Sequence, residues 1–229
     1  MQEKVLELRN ATLAYNKDYC ALNMVNAEFY KGERVAIVGS YGSGKTSLLR
    51  VFAGLEKLKS GECLINGRDV SKTDFSHDIS LGLLSSDPIF FENKTVLDNL
   101  CWALKVRGVE KDQRVAASEK VLADCGISGL ATQKAKQLSP VDRRILQIAR
   151  LLLRPIDVLL CDELFERFDS EERKSISSVF SQLLSAPQGN KLVLFACSDL
   201  APYKSYITKS YVMELGDLRL EENSSDAKL

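Results

Sequence analysis

The chain has 229 residues, enough for one large domain or for one domain carrying an inserted subdomain. Its 45% hydrophobic and 27% charged residues are those of an ordinary globular protein, and 31 basic against 31 acidic residues leave no net charge, which excludes the basic footprint of a nucleic-acid binder. No apolar run approaches the roughly 18 residues of a membrane-spanning helix, and Met1-Gln2-Glu3-Lys4-Val5 lacks the apolar segment of a secretory signal.

In chain order, residues 5–8 and 24–29 read as strands of a small antiparallel sheet, and Lys31-Gly32 as the turn into a strand at 34–38, apolar and β-branched as a buried strand requires. Residues 46–53 place apolar side chains at helical spacing, with Gly54 as a stop. A short strand is predicted within 60–67 and another at 79–84. From 95 to 138 the pattern is helical, broken near Gly108 and at Gly126-Ile127-Ser128-Gly129. A helix from Pro140 or Val141 to Arg154 follows, with Pro140 suited to a first turn and Pro155 ending it. A strand at 157–161, a helix at 171–184, a loop at 186–190, a strand at 191–196 and two short C-terminal strands complete the order. Residues 222–229 are polar and read as a disordered tail. This alternation predicts an α/β fold with a mainly parallel sheet, as a single domain over 1–221 with helical residues inserted at about 88–150.

Gly39-Ser40-Tyr41-Gly42-Ser43-Gly44-Lys45-Thr46 matches the phosphate-binding pattern G-x-x-x-x-G-K-[ST] at every fixed position. Its glycines let the backbone turn N–H groups toward phosphates; Lys45 reaches the β- and γ-phosphates and the Thr46 hydroxyl faces Mg²⁺. The predicted strand before it and helix after it place the loop, with Ser47, on a helix N-terminus, where anions bind. The ligand this implies is a nucleoside triphosphate with Mg²⁺. A second apolar run, Val158-Leu159-Leu160-Cys161, ends in Asp162 and Glu163. A buried strand delivers both carboxylates to its C-terminal end, where Asp162 suits Mg²⁺ and Glu163 suits polarisation of an attacking water. The six cysteines form no C-x-x-C pair and read as reduced core thiols, and the one histidine, His77, lies in a polar stretch and reads as solvated.

At this point the chain resembles the ATP-binding cassette (ABC) ATPases over nearly its whole length: small antiparallel sheet, P-loop, helical insertion, signature region and Walker B strand, in that order. The resemblance assigns Tyr15 to the aromatic that stacks on adenine, and it matches the 60–67 segment to the family's S-G-x-I-x-x-x-G turn and strand and Asp169 to its D-loop aspartate. Three motifs depart from the family. Ser86 stands at the Q-loop glutamine. Leu138-Ser139-Pro140-Val141-Asp142 stands where the signature reads L-S-G-G-Q, and Ser198 stands at the switch histidine. Pro140 removes an N–H donor, Val141 crowds the backbone and Asp142 brings negative charge toward a polyanion.

The resemblance implies an ATP-binding transporter subunit that pairs with a second cassette and docks on a separate membrane-spanning subunit. It would be cytoplasmic and peripheral to a membrane, with no direct membrane insertion and no nucleic-acid partner. With Lys45 and Glu163 as its catalytic residues, its hydrolysis would be weak or partner-dependent. The alternative is a nucleotide-sensing module that hydrolyses little or nothing. A soluble ABC protein of DNA repair or translation fits less well, because the chain has neither a coiled-coil insertion nor paired cassettes.

Overall fold

The protein's structure, a computed structural model, describes residues 2–16, 19–72, 80–185 and 191–221; His77, Ile79, the predicted loop at 186–190 and the polar tail lie outside these. The chain divides into two compact units, one of residues 1–86, 157–166 and 190–229 and one of 87–156 and 167–189.

In the first unit, β1 (Lys4–Ala14) and β2 (Cys20–Tyr30) pair antiparallel, and β4 (Ser60–Ile65) joins β1 on its other side, followed by β5 (Arg68–Asp69), giving the sheet order β2-β1-β4-β5. β1 and β2 run well beyond the predicted 5–8 and 24–29. Polar side chains carry the ladder through its irregularities: Asn26 Oδ1 accepts from the Asn10 amide and Thr12 Oγ1 from the Met24 amide, where the pairing register shifts. Asn66 and Gly67, both at positive φ, turn β4 into β5 as a two-residue hairpin.

The second sheet has the order β10-β9-β3-β8-β7-β6, made of β3 (Arg34–Val38), β6 (Leu81–Leu84), β7 (Val158–Asp162), β8 (Leu192–Cys197), β9 (Lys209–Glu214) and β10 (Asp217–Leu220). β9, β3, β8, β7 and β6 are parallel, and β10 is antiparallel to β9 at the edge. Every residue of β7 and β8 is buried, as expected of central parallel strands covered on both faces. Helix α1 (Lys45–Phe52) packs against strands of both sheets, and its Leu48 and Phe52 join Leu6, Phe29, Ile37 and Leu194 in one core. Phe29 and Phe52 meet edge to face at 5.6 Å.

The second unit is helical: α2 (Val96–Lys105), α3 (Lys111–Asp124), α4 (Pro140–Leu152) and α5 (Ser170–Ser185). The chain breaks predicted near Gly108 and Gly126 separate α2, α3 and the short turns before α4. Thr95 and Asp98 form a capping box on α2, and α4 packs on α2, α3 and α5. Arg143 of α4 grips Glu92 with both terminal nitrogens, at 2.7 and 3.0 Å, and also donates to the carbonyls of Pro88 and Ala135. The helical residues expected at 88–150 thus form one compact unit together with 167–189, which includes α5. Among the described residues no helix is long and apolar enough to cross a membrane, and none of the six cysteines is in a disulfide.

Candidate functional site: a phosphate loop beside an acidic strand end

The parallel register brings three strand ends together. Val38, the last residue of β3, pairs with Cys197, and Asp162, the last of β7, pairs with Ala196. The segments leaving β3 and β7 are then fastened to the end of the strand between them. The Gly39 amide donates to the Cys197 carbonyl at 3.1 Å and the Glu163 amide to the Ala196 carbonyl at 3.0 Å. This is the carboxyl edge at which α/β sheets bind ligands.

The loop from Gly39 to Thr46 is closed to side chains at two points. A Cβ on Gly39 would lie 2.3 Å from the Met213 carbonyl oxygen, and one on Gly44 2.1 Å from that of Ala21; Gly44 also holds φ at 110°. The loop runs into α1 with Gly44 as its cap, so among the described residues no side-chain hydrogen bond caps the helix and no acidic residue stands in the first turn. The amides of Lys45, Thr46 and Ser47 lack intrahelical acceptors by helix geometry, and the dipole there favours an anion. Two polar groups remain under-used within the loop. The buried Ser43 hydroxyl has no hydrogen-bond partner, and the buried Lys45 ammonium donates only to neutral carbonyls of its own loop, Gly39 at 2.7 Å and Ser40 at 2.8 Å. Tyr41 projects from the loop tip, 98% exposed.

Thr46 and Asp162 meet. The Thr46 hydroxyl lies 3.1 Å from each Asp162 carboxylate oxygen, so the two predicted metal-facing residues form one oxygen cluster. Burial raises the Asp162 pKa, partly opposed by the Thr46 hydrogen bond, and Glu163 beside it pushes the same way as burial. Burial lowers the pKa of the Lys45 ammonium against the pull of Glu163 and Asp162. The oxygen donors and the uncapped helix suit a hard cation with a phosphate. Among the described residues no cluster of three or more His, Cys, Asp or Glu could hold a metal alone, so a Mg²⁺ ion here would draw further oxygens from phosphate and water. Glu163 sits at φ 48°, a left-handed conformation that costs a non-glycine residue on the order of 1–3 kcal/mol and tends to cluster at functional sites.

Tyr15 leaves β1 beside the loop. Its hydroxyl lies 3.1 Å from the Ser47 Oγ and donates to Glu56 at 3.3 Å, and its ring stacks on Tyr19 with centroids 5.9 Å apart and planes at 12°. The sequence reading missed Tyr19, whose hydroxyl donates to the Gly42 carbonyl at 3.0 Å. The only sequence signal was a second aromatic four residues after Tyr15.

Of the altered positions, Ser86 follows β6 and is half-buried, while Ser198 follows β8 and is exposed. The Ser198 amide donates to Glu166 Oε1 at 3.2 Å. Glu166, also missed in the sequence, accepts the Tyr203 hydroxyl at 2.6 Å, and that hydroxyl accepts the Phe165 amide at 3.1 Å. Burial raises the Glu166 pKa, with Glu163 adding to the shift. Leu138, Ser139, Pro140, Val141, Asp142 and Asp169 belong to the second unit. There Ser139 caps α4, Pro140 takes its first position, and Asp169 caps α5 by accepting the Glu171 and Glu172 amides at 2.9 Å each.

Comparison with known proteins finds relatives of the chain as a whole. A family model described as "ABC transporter" matches residues 22–166. The chain is 33% identical over 183 residues to the spermidine/putrescine import ATP-binding protein PotA of Spiroplasma citri, covering 80% of this chain and 52% of that one. It is also 33% identical over 187 residues to the sulfate/thiosulfate import ATP-binding protein CysA of Pectobacterium atrosepticum, covering 78% and 54%. It is 29% identical over 188 residues to the methionine import ATP-binding protein MetN of Latilactobacillus sakei, again covering 78% and 54%. The chain therefore spans about half the length of these relatives. The crystal structure of a nucleotide-free ATP-binding cassette from an ABC transporter matches with a TM-score of 0.76 at 22% identity, over 95% of this chain and 92% of that one. A bacterial Atm1-family ABC exporter with ATP bound matches with a TM-score of 0.78 at 22% identity, over 96% and 38%. Both structures carry the same α/β cassette fold.

Proposed function

The chain belongs to the ABC transporter family, and from that premise we propose that it is a transporter's ATP-binding subunit, taking ATP with Mg²⁺ at Gly39–Thr46 and hydrolysing it weakly or only with a partner. The observation that carries this reading is the meeting of the Thr46 hydroxyl and the Asp162 carboxylate at 3.1 Å, beside a loop whose Lys45 ammonium is bonded to two neutral carbonyls of that loop and whose buried Ser43 hydroxyl has no hydrogen-bond partner among the described residues. Lys45 would leave the Gly39 and Ser40 carbonyls for the β- and γ-phosphates, the first-turn amides of α1 would hold phosphate oxygens, and Tyr15 would stack on the base. Thr46 and Asp162 would hold Mg²⁺, which supplies neutralisation of phosphate charge when bound. Glu163, at the end of β7, would orient and polarise the attacking water.

The slow rate rests on Ser86, Ser198 and Leu138-Ser139-Pro140-Val141-Asp142. Ser198 is too short to reach where a histidine would, and loss of one preorganised donor costs roughly 10²–10³ in rate. A second cassette, facing this one head to tail, would bring its own signature to this P-loop, and a membrane-spanning subunit would dock near Ser86 and the helical residues after it. The relatives are named for three different imported solutes, a polyamine, sulfate or thiosulfate, and methionine, at similar identity to this chain. Solute choice would therefore rest with the membrane subunit.

A nucleotide sensor with little or no turnover is favoured by one observation, the mutual satisfaction of Ser139 and Asp142 at the start of α4, which leaves that terminus with its own carboxylate. Mg²⁺-ATP titration and turnover separate the readings. Parent, Lys45→Ala and Glu163→Gln should show binding lost in Lys45→Ala and slow turnover abolished in Glu163→Gln. Binding without turnover above the Glu163→Gln level would favour the sensor. Unchanged binding by Lys45→Ala would overturn both.

A further inference from the structure

We infer that Tyr19 is a positioning residue for the phosphate loop: its hydroxyl fixes the peptide plane between Gly42 and Ser43 so that the Gly42 carbonyl is held away from a bound triphosphate. The inference rests on the reading of Gly39–Thr46 as the phosphate-binding loop and deepens it.

Gly42 sits at φ 79°, and a Cβ built on it would meet nothing within 4 Å. Gly42 has no side chain to restrain it and its Cβ position faces open space, so a flip of the 42–43 peptide meets little local resistance. Such a flip would turn a carbonyl oxygen, with its partial negative charge, toward the phosphates and break the bond from the Ser43 amide to the Ser40 carbonyl. Two hydrogen bonds hold the plane from opposite ends. The Tyr19 hydroxyl donates to the Gly42 carbonyl at 3.0 Å, and the Ser43 amide donates to the Ser40 carbonyl at 3.2 Å. The first is the only one of the two supplied from outside the loop.

Tyr19 is itself held in place. Its amide donates to Asn16 Oδ1 at 2.7 Å, its carbonyl accepts the Tyr15 amide at 3.1 Å, and its ring lies on the Tyr15 ring. Tyr15 is anchored in turn to Ser47 at the start of α1. The stacked pair thus reaches the phosphate loop at two places, Gly42 through one hydroxyl and Ser47 through the other. The chemistry assigns them different parts of the same ligand: Tyr19 acts on the triphosphate through the loop backbone, and Tyr15 acts on the base.

The experiment is equilibrium titration of the full chain with ATP and with inorganic tripolyphosphate, which has no base. Tyr19→Phe keeps the ring and removes one hydroxyl. It should weaken both ligands by the same factor, about fivefold for one net hydrogen bond, with the thermal midpoint unchanged. Tyr15→Ala, which removes the proposed base contact and also the ring on which Tyr19 rests, should weaken ATP more than tripolyphosphate. Parental affinity of Tyr19→Phe for tripolyphosphate would overturn the inference, as would a loss confined to ATP, which would make Tyr19 a base contact. A lower midpoint with proportionate losses in Tyr15→Ala and Tyr19→Phe for both ligands would reduce Tyr19 to a structural residue and also overturn it. Lys45→Ala run alongside keeps the two claims apart: if it still binds, the loop assignment fails; if it does not bind and Tyr19→Phe behaves as parent, only the role of Tyr19 fails.

Discussion

Ser139 and Asp142 satisfy each other: the Ser139 hydroxyl accepts the Asp142 amide at 3.1 Å and lies 2.6 Å from the Asp142 carboxylate, to which it donates. The contact starts α4 well, since an oxygen cap and an acidic residue in the first turn both stabilise a helix. The same contact commits the serine hydroxyl and, if residues 138–142 stand at the signature as proposed, sets a negative charge where that signature would meet a phosphate.

Restoring the family residues should therefore trade helix stability for rate. A variant carrying Pro140→Gly, Val141→Gly, Asp142→Gln and Ser198→His should turn over Mg²⁺-ATP at least about tenfold faster than the parent, a conservative fraction of the roughly 10²–10³ attached to one lost donor. Steady-state phosphate release measures it. A variant that folds, binds ATP and stays at the parental rate would refute the account of slow hydrolysis. Ser139→Ala alone should lower the stability of the helical unit by about 1 kcal/mol, read by denaturant titration.

Two glycines of the phosphate loop should behave differently on substitution. Gly44→Ala forces a Cβ to 2.1 Å from the Ala21 carbonyl oxygen at φ 110°, and its unfolding free energy should fall by about 3 kcal/mol or more. Gly42→Ala meets no atom within 4 Å and should lose only about 1–2 kcal/mol for the left-handed backbone. Equal losses in chemical denaturation would mean that the Gly44 contact relaxes.

Thr46→Val and Asp162→Asn each remove half of one oxygen cluster. ATP affinity should become nearly independent of Mg²⁺ in both, measured by titration with and without chelator. Retained Mg²⁺ dependence in both variants would place the cation elsewhere.

The Glu166 carboxyl supplies a pH signature. Burial raises its pKa above the usual 4.5, so the folded chain keeps a proton that the unfolded chain has released. Stability should fall as pH rises from about 4.5 through the raised value, because the unfolded state is then the one favoured by deprotonation. Glu166→Gln should lack that decline, and unfolding free energies of both proteins between pH 4 and pH 7 give the comparison. Tyr203→Phe, which takes the 2.6 Å donor from Glu166, should cost about 1–3 kcal/mol.

Much of this was legible in the residues themselves. The fixed spacing of Gly39, Gly44, Lys45 and Thr46 and the apolar run ending at Asp162 specify local structure and chemistry together, and the helix stops near Gly54, Gly108 and Pro155 follow from backbone conformation. The length of β1 was not legible, because Arg9, Asn10 and Thr12 interrupt its alternation, and the ladder through them depends on Asn26 and Met24 on another strand. Tyr203 and Glu166 were invisible for a related reason. Neither lies in a periodic stretch, and their meeting joins positions 37 residues apart, which the pairing of β7 with β8 brings together. Asp169 could be placed on a family pattern, while its capping of α5 through the Glu171 and Glu172 amides is a local bond any Asp three residues before a glutamate can make.

The carbonyls of Ala196 and Cys197, neighbours on one strand, accept the amide of Glu163 and the amide of Gly39, the first of the glycine-rich loop, respectively. On the proposed reading, nucleotide grip and water activation would therefore be gauged from a single datum. A disturbance of β8 displaces the two together and leaves their spacing intact, and exchange of the Gly39 and Glu163 amide protons with solvent should proceed as one event.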